Sequence, residues 1–379
     1  MQLTFSYWEQ QTFFSTYDVI IIGSGIVGLN AALHLKIEKP SLKIAIVERG
    51  ILPSGASTKN AGFACFGSVS ELMNDIKTNG EETVYRLVEK RVLGLKTLRN
   101  HLGDQAISYE QYGGYELFLE DDQAIQEASF SAIHYLNKLL KPIFGAPAIF
   151  TDSSDKITDF GFQKTRGLIF NRFEGQIDTG KMMQALMLKV RSLGVEIFNQ
   201  CEVQAFERED LVSIRTSIGV FKSKKVIFAT NAFTSQLLPE AEILPGRGQV
   251  LVTEPIPDLK FKGTFHYDEG YYYFRNIDGR ILLGGGRNLN FKAEESFDLE
   301  ITQPVQERLE LLLSEVIYPH KNIRIDYRWS GIMGFGEDLA PLIIKIDDSI
   351  YLAAKCNGMG VALGSLTGKE VAELVLNDI

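Results

Sequence analysis

Cysteine is scarce in this 379-residue chain, which contains only Cys65, Cys201 and Cys356. Three cysteines at such distances fit neither a disulfide framework nor a zinc site, and a reducing compartment suits them. No stretch approaches the ~18–20 consecutive apolar residues that a membrane-spanning helix needs. Residues 1–16 contain no lysine or arginine, so they do not resemble a secretory signal. We therefore expect a cytoplasmic protein without membrane insertion and without a metal site.

Positive charge is also in short supply, because 39 lysines and arginines face 48 acidic residues and give a net charge of −9. No basic block stands out, which argues against nucleic acid and anionic membranes as partners. The sequence shows no Ser/His/Asp or Cys/His arrangement of the kind that serves nucleophilic catalysis. We expect the five scattered histidines to be core or surface residues rather than catalysts: His34, His101, His134, His266 and His320.

Glycine, in contrast, is abundant and clustered. The chain contains 34 glycines, about 9% of its residues against a usual ~7%. Its length exceeds the roughly 250–300 residues at which single hydrophobic cores stop growing, so two domains are expected. With 45% hydrophobic and 23% charged residues, the composition is that of a soluble globular protein.

A βαβ unit is predicted near the N-terminus. Tyr17–Ile22 contains the continuous β-branched apolar run Val19–Ile22, typical of a buried parallel strand. The sequence Gly23–Gly28 (GSGIVG) then matches the dinucleotide-binding fingerprint, and it is followed by a predicted helix over 26–38 and a second buried strand over 43–48. The strand before the motif and the helix after it make this match much more specific than the motif alone.

Each glycine of the fingerprint has a physical task. Gly23 allows the tight turn, Gly25 lets a pyrophosphate approach the backbone, and Gly28 lets the helix pack on the strand. The free N–H groups and partial positive charge of the helix N-terminus favour phosphates. Glu48 ends the second strand twenty residues after Gly28, where its carboxylate can accept both ribose hydroxyls. The residues expected at the pyrophosphate are Gly23, Ser24, Gly25, Ile26 and Gly28.

The fingerprint alone fits either FAD or NAD. After Glu48, however, the chain enters a loop over residues 50–70 that is rich in Gly, Ser, Ala and Asn. An ordinary dinucleotide-binding domain would continue into another helix and strand. Such a loop favours FAD, because this long cofactor needs segments that reach along it.

The remaining α/β segments are far apart in the sequence. Predicted α/β pieces at 17–48, 176–230 and 350–376 flank two β-rich insertions. We therefore predict an α/β protein with a discontinuous Rossmann-like FAD-binding domain and a second, antiparallel-sheet-rich α+β substrate domain. The FAD-binding domain is predicted to comprise residues 1–84, 160–240 and 331–379, and the substrate domain residues 85–159 and 241–330.

Five motifs in this order make the chain resemble a known family. They are the fingerprint with Glu48-Arg49, the loop Gly55–Gly62, the segment Gly175–Asp178, the pair Ala229–Thr234 and Pro245–Gln249, and the C-terminal Asn357–Leu363 with Thr367–Lys369. Together they resemble the D-amino-acid oxidase superfamily of FAD-dependent oxidoreductases. The likeness is nearest to the glycine/sarcosine oxidase and γ-glutamylputrescine oxidase branch.

The resemblance implies non-covalent FAD. Relatives with a histidyl–flavin bond carry histidine where this loop has Asn60, and relatives with a cysteinyl bond carry cysteine near Gly331. The cofactor-binding residues that the resemblance implies beyond the fingerprint are Glu48, Arg49, Ser57, Thr58, Asn60, Ala61, Gly62, Val203, Ala229, Thr230, Asn231, Gly331, Gly358, Met359, Gly360 and Val361. A helix over 361–376 would place its N-terminus at the flavin N1–C2=O edge, where it would stabilise the negative charge of the reduced ring.

The predicted reaction is hydride removal from a carbon that bears an amine, with oxygen or another acceptor reoxidising the flavin. In a strand over 271–275, alternation places Tyr271, Tyr273 and Arg275 on one face. This face either lines the substrate pocket or packs against a predicted helix over 300–317, and the sequence leaves both open. The substrate-side residues predicted are Tyr271, Tyr273, Arg275, Gln249 and Met333.

Met333 departs from the glycine-oxidase pattern. Members of that type carry an arginine at this position of the motif Trp329–Gly334, and it clamps the substrate α-carboxylate. A thioether cannot replace a bidentate guanidinium. The γ-glutamylputrescine-oxidase-like branch also lacks this arginine, so we expect a small amine or amino acid whose carboxylate, if present, is distant from the reacting carbon. Two alternatives remain open, namely a flavoenzyme acting on a macromolecule-borne amine and a non-catalytic FAD-binding subunit of an amine dehydrogenase complex.

Overall fold

The computed structural model describes residues 4–319 and 322–379, so His320 lies outside the described residues. The helices within these ranges are α1 (Tyr7–Phe13), α2 (Ile26–Glu38), α3 (Ala56–Lys59), α4 (Val69–Asn79), α5 (Glu81–Leu102), α6 (Gln123–Phe144), α7 (Lys156–Phe160), α8 (Thr179–Ser192), α9 (Thr234–Leu237), α10 (Phe291–Glu294), α11 (Gln303–Leu312) and α12 (Gly360–Leu376). The strands are β1 (Tyr17–Ile22), β2 (Ile44–Val47), β3 (Phe63–Ala64), β4 (Gly114–Leu119), β5 (Phe150–Asp152), β6 (Thr165–Asn171), β7 (Gly175–Gln176), β8 (Glu196–Phe198), β9 (Val203–Arg208), β10 (Val212–Thr216), β11 (Val220–Phe228), β12 (Leu244–Thr253), β13 (Thr264–Tyr267), β14 (Tyr272–Ile277), β15 (Arg280–Gly285), β16 (Ile325–Phe335), β17 (Leu342–Lys345) and β18 (Ile350–Ala354).

The first sheet has β1 at its centre. β1 pairs in parallel with β2 on one side and with β11 on the other. Beyond them lie β8 on one edge and β18 and β17 on the other, while β9 and β10 extend from β11. Val19 and Ile21 belong to one hydrophobic core and Ile20 and Ile22 to another, so the apolar run is buried on both faces of the sheet.

Helices α2 and α12 pack on one face of this sheet and against each other, and α5 packs on the outer side of α12. The approach of α5 to α12 is very close, since a Cβ atom added at Gly94 would lie 2.1 Å from the Ala362 carbonyl oxygen. Ser365 of α12 also donates a hydrogen bond to the Gly94 carbonyl. Among residues 4–319 and 322–379, no helix has both the length and the hydropathy needed to cross a membrane.

The second sheet runs in the order β16-β12-β15-β14-β13-β4-β6-β5. Its pairings are antiparallel except that between β13 and β4. One face packs on α11, where Tyr272 and Phe274 join Leu309 and Leu312 in a common core. This sheet supplies the antiparallel, mixed α+β part of the predicted fold.

The sheets do not follow the predicted domain ranges everywhere. β6 lies in the second sheet through its pairing with β4, although residues 160–240 are predicted for the cofactor domain. β16 crosses the predicted boundary at 330/331 as one continuous strand. Helix α5, predicted for the substrate domain, packs on α12. These pairings join segments far apart in sequence, which local patterns do not reveal, so the ranges themselves stay a prediction.

Candidate flavin and substrate site

A cavity of about 660 Å³ is lined by both sheets. The first sheet contributes residues at the carboxyl ends of its parallel strands, where open α/β sheets bind ligands. These are Ile22, Val47, Ala229 and Ala354. The second sheet contributes Gly248, Val250, Tyr273 and Met333 from the opposite side. The cavity is therefore long enough to touch the fingerprint at one end and the aromatic strand β14 at the other.

Many of the residues predicted to bind the cofactor line this cavity. They are Gly23, Ile26, Glu48, Arg49, Ser57, Asn60, Ala61, Val203, Ala229, Thr230, Asn231, Gly331, Gly358, Met359, Gly360 and Val361. Of the residues predicted for the substrate side, Tyr271, Tyr273 and Met333 line it. The predicted residues that lie outside the lining are Ser24, Gly25, Gly28, Thr58, Gly62, Gln249 and Arg275.

The glycine turn leaves no room for side chains. Gly23 has φ +104°, and a Cβ atom there would lie 2.7 Å from the Ala229 carbonyl oxygen. A Cβ atom at Gly28 would lie 2.0 Å from the Gly23 carbonyl oxygen, so the helix packs directly on the turn. The N-cap of helix α2 is Gly25, which has no side chain to cap the helix, although the Ile26 N–H donates to the Ser57 hydroxyl. The remaining N–H groups of the first turn are available to an anion, as a pyrophosphate requires.

Glu48 is held by three hydrogen bonds. Its Oε2 accepts from the Ser24 backbone N–H (3.1 Å) and the Ser24 hydroxyl (2.8 Å), and its Oε1 accepts from the Gly50 N–H (3.0 Å). A carboxylate has about four lone-pair positions, so about one remains for a ribose hydroxyl while Ser24 donates. The expectation that Glu48 accepts both ribose hydroxyls therefore requires the Ser24 hydroxyl to rotate away.

Hydrogen bonds hold the loop after β2 in place. Asn60 accepts from the Gly62 N–H (2.9 Å) and from the Thr179 hydroxyl (2.8 Å), which ties the loop to α8. The Ser57 hydroxyl accepts from the Ile26 N–H at 2.9 Å, at the start of α2. Thr58 instead donates to the Pro53 carbonyl at 2.5 Å. Ser57 and Asn60 also line the cavity, whereas Thr58 does not and only stabilises the loop.

At the end of the cavity near Glu48, Arg49 lies over an aromatic ring. The centre of its guanidinium is 3.7 Å from the centre of the Phe233 ring, and both residues line the cavity. Val203, predicted beside the adenine, lines the same cavity and is buried. These groups provide the apolar and cationic surroundings that an adenine nucleotide can use.

The C-terminal motif contains a run of left-handed backbone. Lys355, Asn357 and Gly358 have φ values of +62°, +47° and +82°. This reversal delivers the chain to α12, which begins at Gly360 with no side-chain hydrogen bond at its N-cap, Met359. The first N–H groups of α12 are therefore free of a side-chain cap at residues that line the cavity, and the stabilisation of a reduced flavin by this helix stays a prediction.

The end of the cavity predicted to hold the substrate is aromatic and apolar. Tyr273 is partly buried, and the removal of its hydroxyl from water raises the pKa of that hydroxyl to about 12. The Tyr273 hydroxyl oxygen and the Met333 methyl group lie 3.9 Å and 2.9 Å from the position a Cβ atom would take at Gly248. Phe63 packs edge-on against Tyr273, with ring centres 5.5 Å apart. The two faces predicted for this strand are both used, with Tyr271 and Tyr273 toward the cavity and Tyr272 and Phe274 in the core.

Arg275 and Gln249 have structural contacts instead of cavity positions. The Arg275 guanidinium donates to the carbonyls of Gly62 (2.9 Å) and Ile177 (2.8 Å), which binds β14 to the cofactor loop. Gln249 bonds to Glu294 and Thr302 behind β12. Arg275 and Gln249 therefore do not line the cavity as predicted. Strand alternation shows on which face a side chain lies, but it does not show which groups the end of a long side chain contacts.

His266 is a cavity residue that the sequence argument placed among structural histidines. Its Nε2 lies 3.0 Å from a Glu174 carboxylate oxygen, and it lines the cavity. Burial lowers the His266 pKa, but the Glu174 carboxylate more than offsets this and raises it overall. His266 and Glu174 are 92 residues apart in the chain, so no local sequence signal pairs them.

Three carboxylates also border the cavity, from Glu71 and Asp75 of α4 and from Glu269. Burial and the neighbouring Glu71 raise the pKa of Asp75 to about 6. Arg91 partly compensates, since its guanidinium lies 3.4 Å from Glu71. This part of the cavity therefore carries excess negative charge at neutral pH.

FAD fits the features of this cavity, namely the glycine turn before α2, the hydrogen-bonded Glu48 and the uncapped start of α12. Combined with a first sheet built around parallel strands and a second, mainly antiparallel sheet, these features are typical of a flavin-dependent oxidoreductase. Residues 18–374 match the family model described as FAD dependent oxidoreductase (DAO). The chain belongs to this family, and its predicted fold class and cofactor are confirmed. It is an FAD-dependent amine or amino-acid oxidoreductase.

The relatives agree with this assignment. The chain is 27% identical to gamma-glutamylputrescine oxidoreductase of Escherichia coli, over 96% of this chain and 84% of the relative. It is 23% identical to glycine oxidase of Geobacillus kaustophilus, over 95% and 93%. The fold of L-proline dehydrogenase from P. horikoshii is similar, with a TM-score of 0.75 at 20% identity over 96% of this chain and 94% of that one.

Proposed function

We propose that this enzyme oxidises the C–N carbon of a small primary or secondary amine that has no carboxylate on the reacting carbon. The observation that carries the proposal is Met333. Its sulfur lies 3.7 Å from the Cβ position at Gly358, and its methyl group 2.9 Å from that at Gly248, so a thioether fills this part of the wall. A thioether neither carries charge nor donates hydrogen bonds, so it cannot hold an α-carboxylate.

The comparison with relatives supports the same choice. The chain shares 27% of its residues with gamma-glutamylputrescine oxidoreductase and 23% with glycine oxidase, both over nearly its full length. A difference of this size is small by itself. Combined with Met333, it favours a γ-glutamylputrescine-like substrate, with its polar groups away from the reacting carbon, over glycine.

The residues of this chain orient and desolvate the amine rather than transfer its protons. FAD, when bound, supplies the acceptor for the hydride, and the substrate leaves as an imine that water converts to a carbonyl compound and ammonia or an amine. Because burial raises the Tyr273 pKa to about 12, its hydroxyl is protonated at neutral pH and can hydrogen-bond to the amine. Phe63 and Met333 keep the reacting carbon in apolar surroundings, which favours the neutral amine.

The FAD is proposed to be held without a covalent bond. Asn60 and Gly331 occupy the cavity positions at which covalently linked relatives carry histidine or cysteine. Cys65 and Cys356 also line the cavity, but burial raises both thiol pKa values, that of Cys356 to about 11. Protonated thiols are poor nucleophiles. Acid precipitation should therefore release all of the flavin into the supernatant, and yellow colour remaining in the protein pellet would contradict this.

Anaerobic mixing of the holoenzyme with a panel of amines tests the proposed function. Bleaching of the flavin absorbance is expected with primary and secondary amines that lack an α-carboxylate, and not with glycine or sarcosine. The Met333→Arg variant should gain reduction by sarcosine, because it restores a cation to this wall. Rapid bleaching of the wild-type enzyme by glycine would overturn the proposal, and so would bleaching by none of the amines.

A further inference from the structure

Arg287 is a cation in the wall of the cavity, immediately after β15. It is partly buried and lies on aromatic rings, with its guanidinium centre 3.9 Å from the centre of the Phe335 ring and 5.0 Å from that of Phe291. The Tyr271 ring is 5.8 Å away. Stacked guanidinium groups keep their N–H edges available for in-plane hydrogen bonds.

Within residues 4–319 and 322–379, the Arg287 guanidinium has no hydrogen bond and no carboxylate partner. The fully buried arginines Arg91, Arg247 and Arg275 differ in this respect, and Arg91 donates to the Phe66 carbonyl and lies 3.4 Å from Glu71. Arg247 is paired with both carboxylate oxygens of Glu294, at 2.8 and 3.2 Å. Arg275 donates to two backbone carbonyls. A cation that has been partly removed from water without a counter-ion is costly, so Arg287 is suited to receive an anion.

The position of Arg287 relative to Met333 follows from strand β16. Met333 and Phe335 are two residues apart on this strand and therefore face the same side. Their separation along the strand is about 6.6 Å, from ~3.3 Å per residue. Because Arg287 lies over the Phe335 ring, an anion bound by Arg287 should lie about 6.6 Å along the strand from Met333. An extended carbon chain advances about 1.3 Å per bond, from the ~3.8 Å spanned by three backbone bonds, so this distance corresponds to about five bonds.

We propose that Arg287 binds a carboxylate at the far end of the substrate and selects amines in which that carboxylate is about five bonds beyond the α position. This inference rests on the proposed function and adds the substrate class, an extended ω-amino carboxylate. The aromatic rings hold the guanidinium plane, and the carboxylate accepts two parallel N–H bonds. Met333 provides no cation for a carboxylate on the reacting carbon, so α-amino acids are disfavoured. Arg287 provides a cation for a distant carboxylate, so extended ω-amino carboxylates are favoured.

The test compares substrates that differ only in the carboxylate. Anaerobic flavin reduction is measured with ω-amino carboxylates from glycine to 7-aminoheptanoate and with n-alkylamines of matching length. The holoenzyme is used as wild type, Arg287→Met, Arg287→Lys and the control Arg328→Gln. Arg328 is on the same strand as Met333 but is not a cavity residue, and it pairs with Glu310. Binding of hexanoate, followed through perturbation of the flavin spectrum, provides a readout that needs no turnover.

In the wild type, the longer ω-amino carboxylates should reduce the flavin more efficiently than the matching alkylamines. Arg287→Met should lower their kcat/KM and weaken hexanoate binding by about 10- to 100-fold, the value of a charge-assisted pair. The alkylamines should change little, Arg287→Lys should be intermediate, and Arg328→Gln should resemble the wild type.

Equal losses for carboxylates and alkylamines in Arg287→Met would overturn the inference, because they would indicate a structural role. Hexanoate binding that does not depend on Arg287 would also overturn it. Reduction by amines in which the ω-amino carboxylates are as insensitive to Arg287→Met as the alkylamines would leave the proposed function intact while this inference fails. Absence of reduction by any amine would refute the proposed function, and hexanoate binding would still report on Arg287.

Discussion

Replacing Glu48 with alanine is expected to weaken FAD binding and to destabilise the apoprotein. Glu48 is only 8% exposed, and its carboxylate accepts from two backbone N–H groups and from the hydroxyl of the fully buried Ser24. Its remaining lone-pair position is the one available to a ribose hydroxyl. The substitution therefore removes both a cofactor contact and the acceptor for three donors of the chain.

Both effects can be given a magnitude. One hydrogen bond between a ribose hydroxyl and a carboxylate contributes about 1.5–3 kcal/mol, so the Kd for FAD should rise by roughly 10- to 150-fold. In the apoprotein, a buried donor left without a partner costs about 1–3 kcal/mol. Water can reach the cavity side of this site, so the total loss of unfolding free energy should stay near about 2 kcal/mol, the cost of one such donor.

Fluorescence titration of FAD with apoprotein measures the Kd, and urea unfolding of the same apoprotein measures stability. Glu48→Gln keeps one acceptor oxygen and should lose less of both quantities. Glu202→Ala is the matched control, since Glu202 borders the same end of the cavity but is exposed. A Kd for Glu48→Ala within twofold of the wild type would refute the ribose assignment. An equal increase in the Kd for Glu202→Ala would also refute it, because the effect would then come from the loss of a negative charge and not from a specific hydrogen bond.

The other predictions concern stability. Gly94→Ala should lower the unfolding free energy by about 1–3 kcal/mol through overpacking against Ala362, whereas Leu93→Ala on the exposed side of α5 should change it by less than about 0.5 kcal/mol in urea unfolding. Burial and Glu71 raise the Asp75 pKa from 3.8 to about 6, so the folded state retains a proton that the unfolded state loses, and stability should fall as pH rises from about 4 to 6. Asp75→Asn should remove this fall and add about 1 kcal/mol at pH 7.5, after allowing for solvent screening of a partly exposed group; an unchanged pH profile would contradict the argument.

The nucleotide-binding half was predictable because its signals are local. The strand Tyr17–Ile22 and the helix 26–38 have the predicted bounds, since a buried apolar run, a glycine turn and a largely apolar, buried helix each leave a contiguous pattern. At Gly23 and Gly28 any side chain would clash with backbone atoms. The tight turn therefore requires glycine at these positions, and this requirement is what the sequence motif records. The order of later motifs then indicated the discontinuous arrangement.

The substrate half was less predictable because its contacts are long-range. Alternation placed Tyr273 and Arg275 on one face, but only the fold shows that the Arg275 side chain ends at the Gly62 and Ile177 carbonyls. The pairing of His266 with Glu174 has no local signature. Arg287 was missed for the same reason, since the rings that hold it come from positions 291 and 335.

The excess of glycine therefore has a second cause that motif recognition does not detect. On β12 and β15, glycines stand opposite the side chains that form the substrate end of the cavity. Cβ atoms would lie 2.3 Å from the Phe335 ring at Gly246, 2.9 Å from the Met333 methyl group at Gly248, and 2.5 Å from the Tyr273 ring at Gly284. Bare strand faces let these three large side chains lie flat on the sheet. The fingerprint glycines keep the backbone turn free of side chains where the cofactor is predicted to bind, and these glycines make room for the large side chains at the end of the cavity proposed for the substrate.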